Sequence, residues 1–380
     1  MNRTWIEDDR SLAEFLKTPH DGRYAIDTEF HRERTYYPQL ALVQLRLGEE
    51  IGLIDPLRCD VGRIASLFDD DVVCVLHAGA QDLEILARLC ERLPGRLHDT
   101  QIAAGFLGAT QVSLATLVNE VRKVVLPKSD RLTDWLKRPL SQAQLDYAAS
   151  DVEHLFEIHD HQMTALTSLG RTDWVTEACT KLVQRAIDEP NLDDAWMKVK
   201  DARSLRGEAR GVARSLARWR ERRAMHLDVP VRRVMSDMAL VSIAQARPST
   251  ESALLGCRGV EGRQFGAEAT AEILEAIGTG LHEVVESNET KRLEIDARQR
   301  GAIPLIVAWV AERARQSELD PAFLATRHDI DEYLGGLPEA RLRHGWRAEL
   351  LLADLDGLVS GALALSVDER GRLRLIPSAQ

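Results

Sequence analysis

The sequence predicts an α/β layered domain over residues 1–170, a helical connector over 171–204, and two small all-α modules over 205–285 and 286–380. Three observations predict this order. Strand-like apolar runs come early and fade beyond Trp174, a capped amphipathic helix starts near Ser141, and the downstream helical patterns are cut by Pro230, Pro248, Gly259, Gly301, Pro321, Gly335 and Gly336. A chain of 380 residues also exceeds one ordinary core.

The first elements are three closely spaced strands, "YAIDTEF" from Tyr24, "LALVQLRL" from Leu40 and "EIGLIDPL" from Glu50. With a turn signal at Gly48 they predict an antiparallel meander. "VVCVLHAG" from Val72 is an apolar run consistent with a buried strand. Ser141 and Gln144 form a capping-box pattern after Pro139, and Leu145, Ala148, Ala149, Val152, Leu155 and Phe156 follow with helical period. The polar run "DEPNLDD" from Asp188 is a connector, and helical patterns then continue over about 205–285 and 290–370.

Charge and composition narrow the function classes. The longest apolar runs, such as "LIVAWVA" from Leu305, fall far short of the roughly 20 residues of a membrane helix. The start "MNRTWIEDDR" carries no apolar export signal, so a cytoplasmic protein without a membrane partner is expected. Five scattered cysteines with no C-x-x-C pair argue against a disulfide framework and against a zinc site. No G-x-x-x-x-G-K-[ST] phosphate loop is present, which removes a helicase reading. The net charge of −11 offers no global attraction to a polyanion. Residues 203–233, with ten arginines against three acids, make one local exception. Within it Arg210, Arg214, Arg218 and Arg222 recur every four residues along one side of a helix, with Val212, Leu216 and Trp219 on another. That row is either a solvated helix face or a phosphate-facing surface.

The chemistry resides in carboxylates. Alternation in a strand puts Ala25, Asp27 and Glu29 on one face and Tyr24, Ile26, Thr28 and Phe30 on the other. Two buried like charges cost several kcal/mol or force protonation unless a cation compensates them. A divalent metal or a solvated acidic edge strand would each explain the pair. Asp82 stands where the strand at 72–76 gives way to a helix, and could instead serve as a helix-start acid favoured by the dipole. Tyr147 and Asp151, four apart, share one line of the late helix beside its apolar stripe. A half-buried tyrosine with a solvated acid is the plainer account of that pair. His77 reads as a satisfied histidine at the core edge.

The ordered blocks "DTEFHRERTYYPQLALVQL", "LHAGAQDLEIL", "HDTQIAA", "KSDRLTDWLKRPLS" and "LDYAASDV", spanning residues 27–152, resemble the ribonuclease D family of the DEDD 3′-to-5′ exonuclease superfamily. "LARWRERRAMHLDVPVRRVMSDMALVSIA" from Leu216 resembles a helicase-and-RNase-D C-terminal (HRDC) domain. "LDPAFLATRHDIDEYL" from Leu319 with "GWRAELL" from Gly345 resembles a divergent second copy. The resemblance implies a ribonuclease H-like α/β exonuclease fold, a mixed sheet flanked by helices, followed by two HRDC-like domains. It further implies that Asp27, Glu29, Asp82 and Asp151 hold two divalent ions, Mg²⁺ or Mn²⁺, about 3.5–4 Å apart. Tyr147 then orients the attacking water and marks the tyrosine branch, because Asp146 stands where the histidine branch carries its His. Lys128, Arg131 and Trp135 would contact RNA through phosphate and stacking, or form a surface ion-pair cluster with a packed Trp. The implied activity is a monomeric exoribonuclease trimming RNA 3′ ends, tRNA precursors among them, to nucleoside 5′-monophosphates. A single-strand DNA exonuclease and an RNA-binding scaffold with an inactive nuclease domain are the competing functions.

Overall fold

A computed structural model of the protein describes residues 1–109, 111–126, 133–188, 191–261, 265–285 and 297–378. The chain divides into two compact units, one made of Met1–Glu29, Leu40–Asp188 and Arg292–Gln380, the other of Phe30–Gln39 and Glu189–Lys291.

The first unit is built on a six-stranded sheet of β1 (Asn2–Ile6), β2 (Arg23–His31), β3 (Gln39–Leu47), β4 (Glu50–Ile54), β5 (Val73–Leu76) and β6 (Arg96–Asp99), in the order β1-β4-β3-β2-β5-β6. The sheet is mixed. β3 and β4 are antiparallel, whereas β1 with β4, β2 with β5, and β5 with β6 are parallel. The predicted runs occupy its centre, where β3 is buried at every position but its first. β1 and β6, at the two edges, were not expected. β1 buries only Ile6, and β6 has four residues, so neither offers an apolar alternation to read.

Helices α1 (Asp9–Phe15), α2 (Ala80–Cys90), α3 (Thr100–Phe106), α4 (Leu114–Arg122), α5 (Gln142–Glu153), α6 (Leu155–Ser168) and α7 (Thr172–Ile187) belong to the same unit. α5 starts as predicted, with Ser141 and Gln144 closing a reciprocal capping box. Its small residues Ala148 and Ala149, with Val152, share a core with Ala25, Ala41 and Val75 of the sheet, so the helix approaches the strands closely. The single long helix expected here breaks at His154 (φ −111°). The Glu153 carbonyl freed by the break accepts a 2.5 Å hydrogen bond from Nη1 of buried Arg46, whose guanidinium lies 4.1 Å from the Phe156 ring centroid. On the other edge Arg3 reaches Asp146 (2.7 Å) and Glu153 (3.0 Å), fixing α5 at both ends.

The C-terminal part corrects an expectation. Its helices α14 (Ile303–Gln316), α15 (Pro321–Leu324), α16 (Arg327–Leu334) and α17 (Gly345–Ser360), which follow α13 (Ala297–Arg300) below, are succeeded by a two-stranded antiparallel hairpin, β7 (Leu363–Val367) and β8 (Leu373–Pro377), so residues 286–380 are not all-α. The helices are also not a self-contained core. Ile306, Trp309, Leu342, Trp346 and Leu355 form one cluster with Phe106, Leu166, Val175 and Cys179 of α3, α6 and α7. A set of four helices, two of them of only four and eight residues, encloses too little apolar surface alone, and it completes its burial on its neighbours.

The second unit contains α8 (Gly207–Leu227), α9 (Val231–Val234), α10 (Asp237–Ala246), α11 (Glu251–Leu255) and α12 (Ala267–Leu281), with α13 (Ala297–Arg300) following in sequence within the first unit. Its core of Val212, Leu216, Leu240, Ile243, Ile273 and Ile277 also takes in Trp196 of a 3-10 turn at Leu192–Lys198 and Val199, which caps that turn. All five cysteines are buried and unpaired, four in the first unit and Cys257 in the second.

Candidate active site

The first unit gathers the predicted acids at one end of the sheet. β2 and β5 run parallel with Ala25 opposite Val75, so Asp27 and Glu29 lie toward the end at which β5 hands over to α2. Asp27, Glu29 and Asp151 are half-buried, and one carboxylate oxygen from each lies within 4.8 Å of the others. The strand supplies two acids from one face, as alternation predicts, and α5 supplies the third.

Asp82 comes from the first turn of α2 and is buried. It is not in that three-residue group, and its Oδ1 accepts a 2.5 Å hydrogen bond from Thr28 Oγ1. Thr28 lies between Asp27 and Glu29 on β2, so its hydroxyl ties Asp82 to the strand that carries both acids. Asp82 is still close enough to matter. Burial pushes the Asp27 carboxyl well above its ordinary range, and the charges of Asp82, Asp151 and Glu29 push it further. Burial likewise raises Asp82, against the Thr28 hydrogen bond that lowers it. The side-chain charges that act most on Asp27 are therefore carboxylates, an arrangement that a hard oxygen-seeking cation would stabilise.

Tyr147 lies one helical turn before Asp151, half-buried, with its ring centroid 6.0 Å from that of Trp135. Trp135 is 2% exposed and belongs to the core under α5, which corrects the expectation that it stacks on RNA: no face of the indole is open to a base. Lys128 and Arg131 lie outside the described residues.

The arginine row exists on α8, but it is not a free cationic face. Arg210 is buried, with its Nε donating to the Leu205 carbonyl, so it is unavailable to a phosphate. Arg214 pairs with Asp193 at 2.7 Å; Arg218 pairs with Asp193 at 2.6 Å and with Glu283 at 3.0 Å. Only Arg222 of the four is exposed. A count of local charge misses this because Asp193 and Glu283 are remote in sequence from the arginines they neutralise.

Sequence reasoning also missed Thr28 and Asp99. Alternation sends Thr28 to the wrong face for a site residue. Asp99 carried a signal that could have been used, an Asp-Thr pair directly before a helical run, which is an N-cap pattern.

Comparison with known proteins identifies the family. A family model described as 3′-5′ exonuclease matches residues 3–166, and the HRDC domain model matches residues 209–277. Ribonuclease D of Gluconacetobacter diazotrophicus is 34% identical, covering 99% of this chain and 96% of that protein. Ribonuclease D of Serratia proteamaculans is 34% identical, covering 95% and 100%. Among solved structures, Escherichia coli RNase D, described as an exoribonuclease involved in structured RNA processing, superposes with a TM-score of 0.82 at 31% identity over 95% of this chain and 99% of that one. The catalytic core of RRP6 from Trypanosoma brucei shares the fold, with a TM-score of 0.54 at 20% identity over 74% of this chain and 80% of that one. With relatives of this identity over nearly its whole length, the chain belongs to the ribonuclease D family of 3′-to-5′ exoribonucleases.

Proposed function

We propose that this exoribonuclease works by a two-metal mechanism in which Asp27, Glu29, Asp82 and Asp151 hold two divalent ions, Mg²⁺ or Mn²⁺. The observation that carries the reading is the approach of the Asp27, Glu29 and Asp151 carboxylates to within 4.8 Å of one another. When bound, the two ions neutralise these acids, lower the pKa of the attacking water and stabilise the departing 3′ oxygen. The protein's part is positional. The rigid pair from β2 and the capped helix α5 fix the ligand oxygens. Asp82, held by Thr28, completes the set from the first turn of α2. The Tyr147 phenol, one turn from Asp151, orients the attacking water without being a ligand.

The substrate read from the family is the 3′ end of RNA, tRNA precursors among them, with nucleoside 5′-monophosphates as products and the cytoplasm as the site of action of a monomer. No helix of the described residues is long and apolar enough to cross a membrane. Residues 205–285 act as the HRDC module, and the helices of 286–380 are a divergent second copy. The order of long, four-residue, medium, short and long elements in α8 to α12 recurs from α14 through α17, with the 3-10 turn Arg341–Arg343 as the short one. The test is a matched pair of end-labelled RNA and DNA oligonucleotides, with each metal and with chelator. A ladder shortening from the RNA 3′ end only with metal is expected. Preference for DNA would move the function to DNA trimming, and activity in chelator would end the metal reading.

A further inference from the structure

The turn that delivers Asp82 is tied to a neighbouring strand by a side chain outside the four acids. β5 ends at Leu76, and α2 starts at Ala80. Between them Ala78 adopts φ +56°, the left-handed region that a residue with a Cβ avoids. A Cβ on the next residue, Gly79, would sit 2.5 Å from the Leu76 side chain. The turn is tight and unfavourable by itself, and something must hold it.

Asp99 does so. It ends β6, in parallel register with Leu76 at the end of β5, and it is almost fully buried. Its Oδ1 accepts from the backbone N–H of Gln101 (2.8 Å) and of Ile102 (3.2 Å), which caps α3. The same oxygen accepts from the N–H of Ala78 (3.1 Å), and Oδ2 accepts from the N–H of Gly79 (3.0 Å). One carboxylate thus takes four backbone donors from two helix entries. Thr100 adds a second tie. Its hydroxyl donates to the Leu76 carbonyl (3.0 Å), so its oxygen accepts from His77 Nδ1 (2.9 Å), which must carry that ring's proton.

We infer that Asp99 is a positioning residue for metal binding, holding the left-handed turn at Ala78 so that Asp82 is delivered to the carboxylate cluster. This rests on the reading of Asp82 as a metal ligand. The chemistry explains why an acid is needed. Asparagine is as good an N-cap as aspartate and would keep Oδ1 on α3. Its amide group, however, would replace Oδ2 and set a donor against the Gly79 N–H.

Asp99→Asn therefore separates the two roles, and Ala78→Gly supplies the rescue, because glycine adopts positive φ without the penalty. Mn²⁺ binding to the full-length protein is measured by calorimetry, and exchange of the Ala78 and Gly79 amides by hydrogen–deuterium exchange in chelator. Asp99→Asn should weaken Mn²⁺ binding about 10-fold or more, as loss of a ligand's supporting partner commonly does. It should also speed exchange at the Gly79 amide, which loses its acceptor, in the metal-free protein. Ala78→Gly alone should stay within about 2-fold of wild type, and Ala78→Gly with Asp99→Asn should recover several-fold of the lost affinity. Thr100→Val, expected to weaken binding by about 3-fold, serves if Asp99→Asn does not fold. Asp82→Asn is the control. If it leaves Mn²⁺ binding intact, the ligand reading fails and the inference with it. If Asp82→Asn loses binding while Asp99→Asn keeps it, or if Ala78→Gly rescues nothing, Asp99 is only the cap of α3.

Discussion

Replacing Asp27 by Asn should stabilise the metal-free protein while abolishing its activity, and the size of the first effect follows from the cluster. With oxygens of Glu29 and Asp151 within 4.8 Å, each like-charge pair costs about 3.5 kcal/mol at an effective dielectric constant of 20 and under 1 kcal/mol in bulk water. An upper bound comes from protonation. At pH 7 a carboxyl of ordinary value 3.8 can escape repulsion by binding a proton at a cost of about 4 kcal/mol, so no larger penalty can be sustained. Discounting for partial exposure and for the poorer hydrogen bonding of an amide leaves about 2 kcal/mol, or roughly 4–8 °C in melting temperature. The pH dependence has a definite sign. Because the folded state raises the Asp27 pKa, the penalty is absent below the ordinary carboxylate range and grows as pH rises through the raised value. Melting curves in chelator should therefore show the variant above wild type at pH 7 and the two converging near pH 4. With Mg²⁺ the order should reverse, since only wild type gains from binding. A variant that melts below wild type at pH 7 in chelator would falsify the account of Asp27 as a repelled, cation-seeking acid.

Two further outcomes follow from the same site and from α8. Tyr147→Phe should keep Mn²⁺ affinity within about 2-fold while kcat falls by about 100-fold, whereas Asp151→Asn should lose both; calorimetry beside single-turnover kinetics reads the split, and parallel losses of binding would remove the distinction between ligand and water-orienting group. Arg222→Gln, at the one exposed position of the arginine row, should lower the log–log salt slope of RNA binding by about 0.7. Arg210→Gln should instead lower the melting temperature of the second unit, because Arg210 holds the Leu205 carbonyl inside it, and leave the slope alone.

The parts of this molecule legible in the sequence are those written in local pattern. The D-x-E spacing on an apolar strand gave two acids of the cluster, and the Ser141–Gln144 box located the start of the helix carrying Tyr147 and Asp151. Local pattern fails where a partner is remote. Arg210, Arg214 and Arg218 look cationic along the chain but are engaged by Leu205, Asp193 and Glu283. Trp135 looks like an interaction residue among charged neighbours, yet it fills the space beneath α5. The break at His154 is invisible to helical periodicity because Arg46, more than a hundred residues away, compensates the lost hydrogen bond. The C-terminal hairpin escapes because β7 and β8 are only half-buried and alternate weakly.

The buried cysteines have a consequence for how this enzyme ages and how its opening can be timed. Burial pushes the thiols of Cys59 and Cys90 up to about 11 and those of Cys74 and Cys179 up to about 12, and it raises Cys257 as well. Oxidants and alkylating reagents attack the thiolate, so the folded chain presents them with almost no reactive sulfur. Peroxide should spare activity for as long as both units stay closed. Modification of Cys257 then becomes a clock for the opening of the helical unit, and modification of Cys74 and Cys179 a separate clock for the unit that bears the acids. Mass-resolved alkylation over time reads both clocks in one tube, on the unaltered protein and without an added label.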